Sequence, residues 1–397
     1  MKRGLFIILL IFLSQIAFSQ EIFKEKIVAG SKKDFMKVYY YKIKGTNKEI
    51  GKKIAQVAKE RNLILMTSPD TLKNKLKYKY LKQNYPIHYR RMQGVAEEYG
   101  IDINDFSKDV SIIEYIPKKN NCSVVFYPGD KTENNHDLLS RNYDFSLGNI
   151  KLQPCEKDEL PVCSRPVIFE IYPDTGYASL YIADLEIFGG VIDGINSQGL
   201  SVAVLTDGLV YEGYKPEPSY EVGLYELLIM RYLLDNCKNV QEAKKALLYL
   251  KQYYISAPLH YIIADSQGRS FIFEFSRQRN QTFIIDNNGI QCITTHLISN
   301  HDTSNVGSVK NLEKLKSMTS AKDKFTLEEI KEINNTVSPK MTYHPFYVPS
   351  RTLWHSMYDL DAKTLQVKFY LGETKNPKNK NKIITHYTKY LEFSLDE

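Results

Sequence analysis

No two cysteines in this 397-residue chain stand as a CxxC pair, and only five are present. That removes the usual spacing of a zinc site, and nothing else in the chain calls for a metal or a cofactor. The eight histidines are scattered. None stands in a papain-type context, and no GSCW-like residues surround a cysteine. Tryptophan is nearly missing, with one residue against 29 tyrosines. Beyond the first twenty residues no stretch is long and apolar enough to cross a bilayer as a helix, so stable membrane insertion is not expected. The lysines are spread out rather than gathered in a stripe, which gives a nucleic-acid partner little footing.

What is present is an ordinary globular composition, 43% hydrophobic and 25% charged, behind a distinctive start. Lys2 and Arg3 precede an apolar run from Leu5 to Leu13, and Ala17-Phe18-Ser19 follows with small residues at the two positions a signal peptidase reads. Residues 1–19 read as a secretory leader, so the protein is expected outside the cytoplasm, periplasmic or secreted. Export permits disulfides. Cys155 and Cys163 flank the polar stretch CEKDELPVC and could close a small bridge. Cys237 and Cys292 read as buried thiols, which leaves Cys122.

Charge divides the chain at that cysteine. Residues 21–121 carry a net +10 and residues 122–397 a net −5. Two solvated faces would account for this. So would a basic N-terminal segment packed on an oppositely charged partner.

The texture changes at the same place. Residues 20–121 read as mostly helical. A capping box at Thr46…Glu49 starts one helix, Thr71 to Tyr85 reads as a second, and Pro86 to Tyr99 as a third that ends at Gly100. After Cys122 the chain reads as paired strands, with tight turns at NSQGLS and DSQGRS whose glycines suit positive φ. Helices are expected over Glu221–Asn236, Val240–Lys251 and Thr326–Asn334. Strands, helices and strands again suggest an α+β fold of two antiparallel sheets with helices outside.

A thiol is a nucleophile only as thiolate, and some group must take its proton. Cleavage between Asn121 and Cys122 would place a new α-amino group, with an ordinary pKa of about 8, beside the thiol at the start of a strand. A carboxylate to hold the amine, a cation near the sulfur and donors for an oxyanion would complete the site. Arg141 and Asp144, in SRNYDF, lie on the hairpin partner of the Cys122 strand.

The chain resembles the N-terminal nucleophile hydrolases of the choloylglycine hydrolase superfamily, in the acyl-coenzyme A:6-aminopenicillanic acid acyltransferase branch, which carries an N-terminal pro-segment. The segments that carry the resemblance are GTNKEIG (45–51), RMQGVAEE (91–98), Cys122, RNYD (141–144), GINSQGL (194–200), SNH (299–301) and Ser350-Arg351, in that order. Together they span nearly the whole secreted chain. The resemblance implies a four-layer αββα sandwich over residues 122–397, with residues 20–121 as a helical pro-segment that is removed or stays bound as a small subunit. It implies Cys122 as nucleophile and base, Arg141 against the thiolate, Asp144 on the α-amine, Asn300 at the oxyanion or the amine, and Arg351 in a polar network with Asp144. Thr206 stands where bile-salt hydrolases carry an asparagine, and is a candidate oxyanion or substrate contact.

The expected activity is hydrolysis of a linear amide bond in a small N-acyl substrate. Acyl transfer by the same route is the near alternative, and a homo-oligomer is compatible with either. A non-catalytic exported binding protein of the same fold and a papain-like protease with a histidine partner are the other readings.

Overall fold

The computed structural model describes residues 22–68, 70–114, 122–149, 155, 159–206, 222–255, 259–276, 281–299, 306–340 and 348–395. The leader, Asn121, residues 207–221 and Asn300 lie outside the described residues.

Two large sheets face one another. The first has nine strands, in the order β1 (Ile22–Ala29), β2 (Val38–Gly45), β7 (Val167–Pro173), β8 (Ser179–Ala183), β9 (Asp193–Asn196), β10 (Ser201–Thr206), β13 (Leu259–Asp265), β14 (Arg269–Ser276) and β15 (Gln281–Asn287). The second has the order β16 (Gln291–Thr294), β5 (Ser123–Tyr127), β6 (Leu138–Ser146), β17 (Ser350–Asp359), β18 (Thr364–Asn376) and β19 (Asn379–Tyr387), with β20 (Leu391–Ser394) also on β18. Every pairing in the two sheets is antiparallel except β2 with β7. Helices α1 (Asn47–Glu60), α4 (Glu226–Asn236) and α5 (Val240–Tyr249) pack on the first sheet, and α6 (Val306–Thr319) and α7 (Leu327–Asn335) on the second. This is the expected αββα sandwich. No helix among the described residues is long and apolar enough to cross a membrane.

The strands are buried on both faces. All nine residues of β6 and all five of β5 are buried, because one face meets the other sheet and the other face meets α6 and α7. Val124 and Phe126 join the core between the sheets, while Val125 and Tyr127 join the cluster under α6 and α7. The period-two side-chain alternation of a strand therefore feeds two cores.

The N-terminal segment differs from the helical expectation. It contains α1, α2 (Thr71–Asn84) and α3 (Pro86–Tyr99), but also β1, β2 and the pair β3 (Leu65–Thr67) and β4 (Lys108–Ile113). A second small pair, β11 (Leu224–Tyr225) with β12 (Gln252–Tyr253), flanks α4. Strand β2 adds to the first sheet with seven residues in register on β7. Its alternation is visible in VYYYKIKG, where Tyr41 and Ile43 are buried while Lys42 and Lys44 face outward.

The segment is also joined to the body by charge. Arg91 of α3 forms a buried bidentate pair with Asp235 of α4, at 2.5 and 3.1 Å, and Tyr85 donates to the same carboxylate. Lys42 pairs with Glu170 at 2.7 Å. Both Asn47 nitrogens donate to Asp174. A few groups of the basic segment thus meet acidic partners of the later chain.

Helices α1 and α3 touch backbone to backbone. A Cβ on Gly51 would lie 2.0 Å from the Arg91 carbonyl oxygen, and one on Gly94 would lie 1.9 Å from that of Lys48. Only glycine permits that approach, which gives the GTNKEIG and RMQGVAEE segments a packing reason. The Thr46…Glu49 capping box forms as expected, and a second one forms at Thr326…Glu329.

Candidate active site

Cys122 stands one residue ahead of β5, at 1% exposure. Strand pairing decides what surrounds it. Val124 lies opposite Arg141 and Ser123 opposite Asn142, so Tyr143 and Asp144 come level with Cys122. Arg141 Nη2 donates to Cys122 Sγ at 3.5 Å. The main-chain N–H of Asp144 points at the same sulfur. Among the described residues no histidine bonds to it; His301 and His344 lie outside them.

Arg141 is fully enclosed and tightly fixed. Its Nη1 donates to Ile192 O at 2.6 Å and Asp193 Oδ2 at 2.9 Å, and its Nη2 donates to Val204 O at 2.8 Å. Asp193 is held in turn by Trp354 Nε1 and the Tyr358 hydroxyl. A guanidinium so constrained cannot swing away, and its charge stays at the sulfur. Burial pushes the Cys122 thiol up, and the Arg141 charge opposes that shift. In the intact chain the thiol is therefore protonated and poised beside a cation.

Asp144 is the second half of the site. Burial pushes its carboxyl up to about 8, against the opposing pull of a Thr352 hydrogen bond and the Arg141 charge. Thr352 Oγ1 donates to Oδ1 at 2.6 Å. Oδ2 is buried and has no hydrogen-bond partner among the described residues. A lone buried carboxylate oxygen is costly.

Arg351 bonds Glu373 and the Ser350 carbonyl, and Thr352, one residue on, reaches Asp144. Tyr387 donates to the Thr352 carbonyl and so braces that strand. The Cys155–Cys163 bridge is also corrected, since both are free thiols. Cys163 is buried near the Tyr143 hydroxyl, at 3.6 Å. Its backbone is left-handed, with φ at 59°.

Thr206 ends β10, two residues past the Val204 carbonyl that holds Arg141. Its hydroxyl is buried and has no partner among the described residues. Glu274 accepts from the N–H groups of Ile298 and Ser299 and pairs with His260 at 3.3 Å. It pins the chain just ahead of Asn300, which itself lies outside the described residues. The GINSQGL turn is structural. Asn196 Oδ1 accepts from Gln198 and Leu200, its Nδ2 donates to Leu234 O and Cys237 O, and Gly199 sits at φ 79°.

Sequence reading missed Asp193, Thr352, Trp354 and Tyr358. Asp193 directly precedes the GINSQGL segment, and Thr352 directly follows Arg351. Among the described residues one cluster, His136, Asp359 and Asp361, has metal-ligand geometry. It lies at the opposite end of β6 and β17 from Cys122, and His136 already pairs with Asp359.

The chain belongs to the acyl-coenzyme A:6-aminopenicillanic acid acyl-transferase family, whose family model matches residues 131–376. No curated protein matches it. Among solved structures it is similar to a mutant of the conjugated bile acid hydrolase from Clostridium perfringens, at 18% identity and a TM-score of 0.45, over 69% of this chain and 97% of that one. It is also similar to the penicillin V acylase from Agrobacterium tumefaciens, at 16% identity and a TM-score of 0.43, over 62% of this chain and 83% of that one.

Proposed function

We propose that the protein is an exported, self-processed cysteine amidohydrolase that cleaves linear amide bonds of N-acyl substrates through a thioester on Cys122. The observation that carries this reading is the paired arrangement at one residue. Arg141 faces the sulfur of Cys122, and a buried, half-satisfied Asp144 lies level with it across the strand pair. Arg141 also serves the buried pair with Asp193, but its contact with the sulfur and the unpartnered oxygen of Asp144 both gain a chemical use if the Cys122 nitrogen becomes an ammonium.

In the processed enzyme the α-amino group takes the thiol proton, and Arg141 favours the thiolate. The sulfur attacks the acyl carbonyl carbon. Thr206 and Asn300 are the candidate donors to the oxyanion. The carbon–nitrogen bond breaks, and the leaving amine takes the proton held by the α-amine. Water, deprotonated by the same amine, then attacks the thioester and releases a carboxylic acid and the free thiol. If an amine takes the place of water, the outcome is acyl transfer, the reaction in the family's name. Conjugated bile acids and penicillin V, for which the two similar solved enzymes are named, belong in the substrate screen beside simple N-acyl amino acids.

Intact-mass analysis of the purified protein beside its Cys122→Ala variant tests this. A wild-type fragment that begins at Cys122, with the variant uncut, is expected. A wild-type chain that stays whole, and inert to N-acyl amides, would favour the non-catalytic binding protein instead.

A further inference from the structure

A helix lying on a protein body normally carries one apolar stripe, turned inward. Helix α2 carries two. Its inner face buries Asn74, Lys77, Tyr78 and Leu81, with Lys77 paired to Asp109. On the opposite side Leu72 is 64% exposed and Leu76 45%. Half-buried Tyr80 continues their row, at the spacing of i, i+4 and i+8 that lines side chains up along a helix. The Tyr80 hydroxyl accepts from the Lys251 N–H at 2.9 Å, and Leu248 and Tyr249, just ahead of Lys251, are exposed as well. Leu72, Leu76, Leu248 and Tyr249 belong to neither core.

The same face is basic. Helix α2 holds five lysines and no acid. Along the chain these lysines look scattered, but the helical period sets exposed Lys75, Lys79 and Lys82 beside the leucine row. Helix α1 offsets its own lysines, since Lys48 and Lys52 pair with Glu97 and Lys59 with Glu98. Among the described residues, Lys75 and Lys79 have no such pair. The contacts that join the N-terminal segment to the body use Lys42 and Arg91 and leave these charges unanswered.

We propose that this face of α2 docks on an anionic lipid surface, with Leu72 and Leu76 dipping into the boundary between headgroups and acyl chains and Lys75, Lys79 and Lys82 on the lipid phosphates. A convex helix with projecting leucines offers a protein partner no pocket to fill, whereas a bilayer requires none. Each lysine near an anionic surface raises partitioning roughly fivefold. The leucines add an apolar share that salt does not screen. This is attachment at the surface and not a crossing, and it stands apart from the amidohydrolase reading.

Flotation of the purified protein with vesicles tests it. Wild type is expected to rise with vesicles of equal parts phosphatidylglycerol and phosphatidylcholine, not with phosphatidylcholine alone, and to lose most of that binding between about 0.1 M and about 1 M salt. Leu72→Ser with Leu76→Ser is expected to lower the partition coefficient at least about tenfold, and Lys75→Gln with Lys79→Gln roughly twentyfold. Ile383→Ser with Ile384→Ser, at an exposed apolar pair on β19, should leave it unchanged. All these side chains are exposed, so the variants should fold, and melting curves check that they do. Leu72→Trp gives a second readout, because the native Trp354 is fully buried. Its emission should shift to the blue with the anionic vesicles and stay put with the neutral ones. No binding to anionic vesicles, an equal loss in the β19 variant, or an unshifted emission overturns the proposal. So does a concentration-dependent dimer that the leucine variant abolishes, which would give the face to a second copy of the chain. Binding that needs the lysines but not the leucines also overturns it, as a general response to polyanions.

Discussion

Thr352 holds one oxygen of Asp144 at 2.6 Å, and the other oxygen of that buried carboxyl has no partner among the described residues. In the proposed reaction the α-ammonium of a processed Cys122 would take up that free acceptor.

Asp144 accordingly makes the uncut chain sensitive to alkali. Its carboxyl is raised to about 8 when folded and is near 4 when unfolded. Between those values the folded chain binds more protons than the unfolded one, so stability from this group is full below about pH 4 and is lost as pH rises to 8. In an uncut Cys122→Ala background, Asp144→Asn is expected to gain roughly 1–3 kcal/mol over its parent at pH 8 and little at pH 4. Denaturant unfolding at both pH values measures it. A constant difference would mean that Asp144 does not titrate in that window.

In the wild-type background the same change should act on processing. Asp144→Asn keeps the size of the side chain and removes the charge that would hold the α-ammonium. Amide hydrolysis by any processed fraction is expected to fall by at least about a hundredfold, a loss of roughly 3 kcal/mol of transition-state stabilisation. Full activity in this variant would sink the assignment of Asp144.

Arg141 and Asp193 form a buried pair at 2.9 Å, and removing one member leaves the other charged and alone. Arg141→Leu should therefore cost about 3–5 kcal/mol of stability, which confounds an activity assay. Arg141→Lys keeps the charge but loses the fork that reaches both Asp193 and Cys122. It is expected to fold and to move the pH profile of iodoacetamide alkylation at Cys122 upward. An unmoved profile would show that the fork geometry of Arg141 does not set the reactivity of the sulfur.

Much of this site could be read along the chain, because strand pairing turns sequence neighbours into spatial ones. RNYD stands on the hairpin partner of the cysteine strand, so Arg141 and Asp144 were legible. Asp193 was not, because a carboxylate in the buried strand DGIN has meaning only once the other sheet brings Arg141 to it. Arg351 and Thr352 point to opposite faces of β17, and nothing local says which face looks at Asp144. The helices before Cys122 were legible through capping residues and proline. Strands β1 and β2 were not, since their lysines alternate on an outward face and the pairing of β2 with β7 crosses more than a hundred residues.

That pairing bears on what happens after a cut at Cys122. Residues held by the β2–β7 register and by the Arg91–Asp235 pair should not leave under native conditions. Gel filtration of cut protein is expected to show both fragments together. Arg91→Ala, which leaves Asp235 to Arg231 and Tyr85, should lower stability by about 1–3 kcal/mol and let the fragments part at lower urea. Free release of the wild-type segment without denaturant would make it a removable pro-segment.

Thr206 offers the narrowest test of the chemistry. Its hydroxyl is buried, has no partner among the described residues, and ends the strand whose Val204 carbonyl positions Arg141. If it donates to the oxyanion, the bond strengthens as charge develops on the carbonyl oxygen and is weak in the ground state. Thr206→Val should then lower kcat about 10–100-fold with KM nearly unchanged, and Thr206→Ser should restore most of it. Folding should be unaffected or slightly favoured, because the valine removes an unsatisfied buried hydroxyl while keeping the shape. A rise in KM alone would make Thr206 a substrate contact. Wild-type kinetics for the valine variant would leave the oxyanion to Asn300 and to main-chain N–H groups.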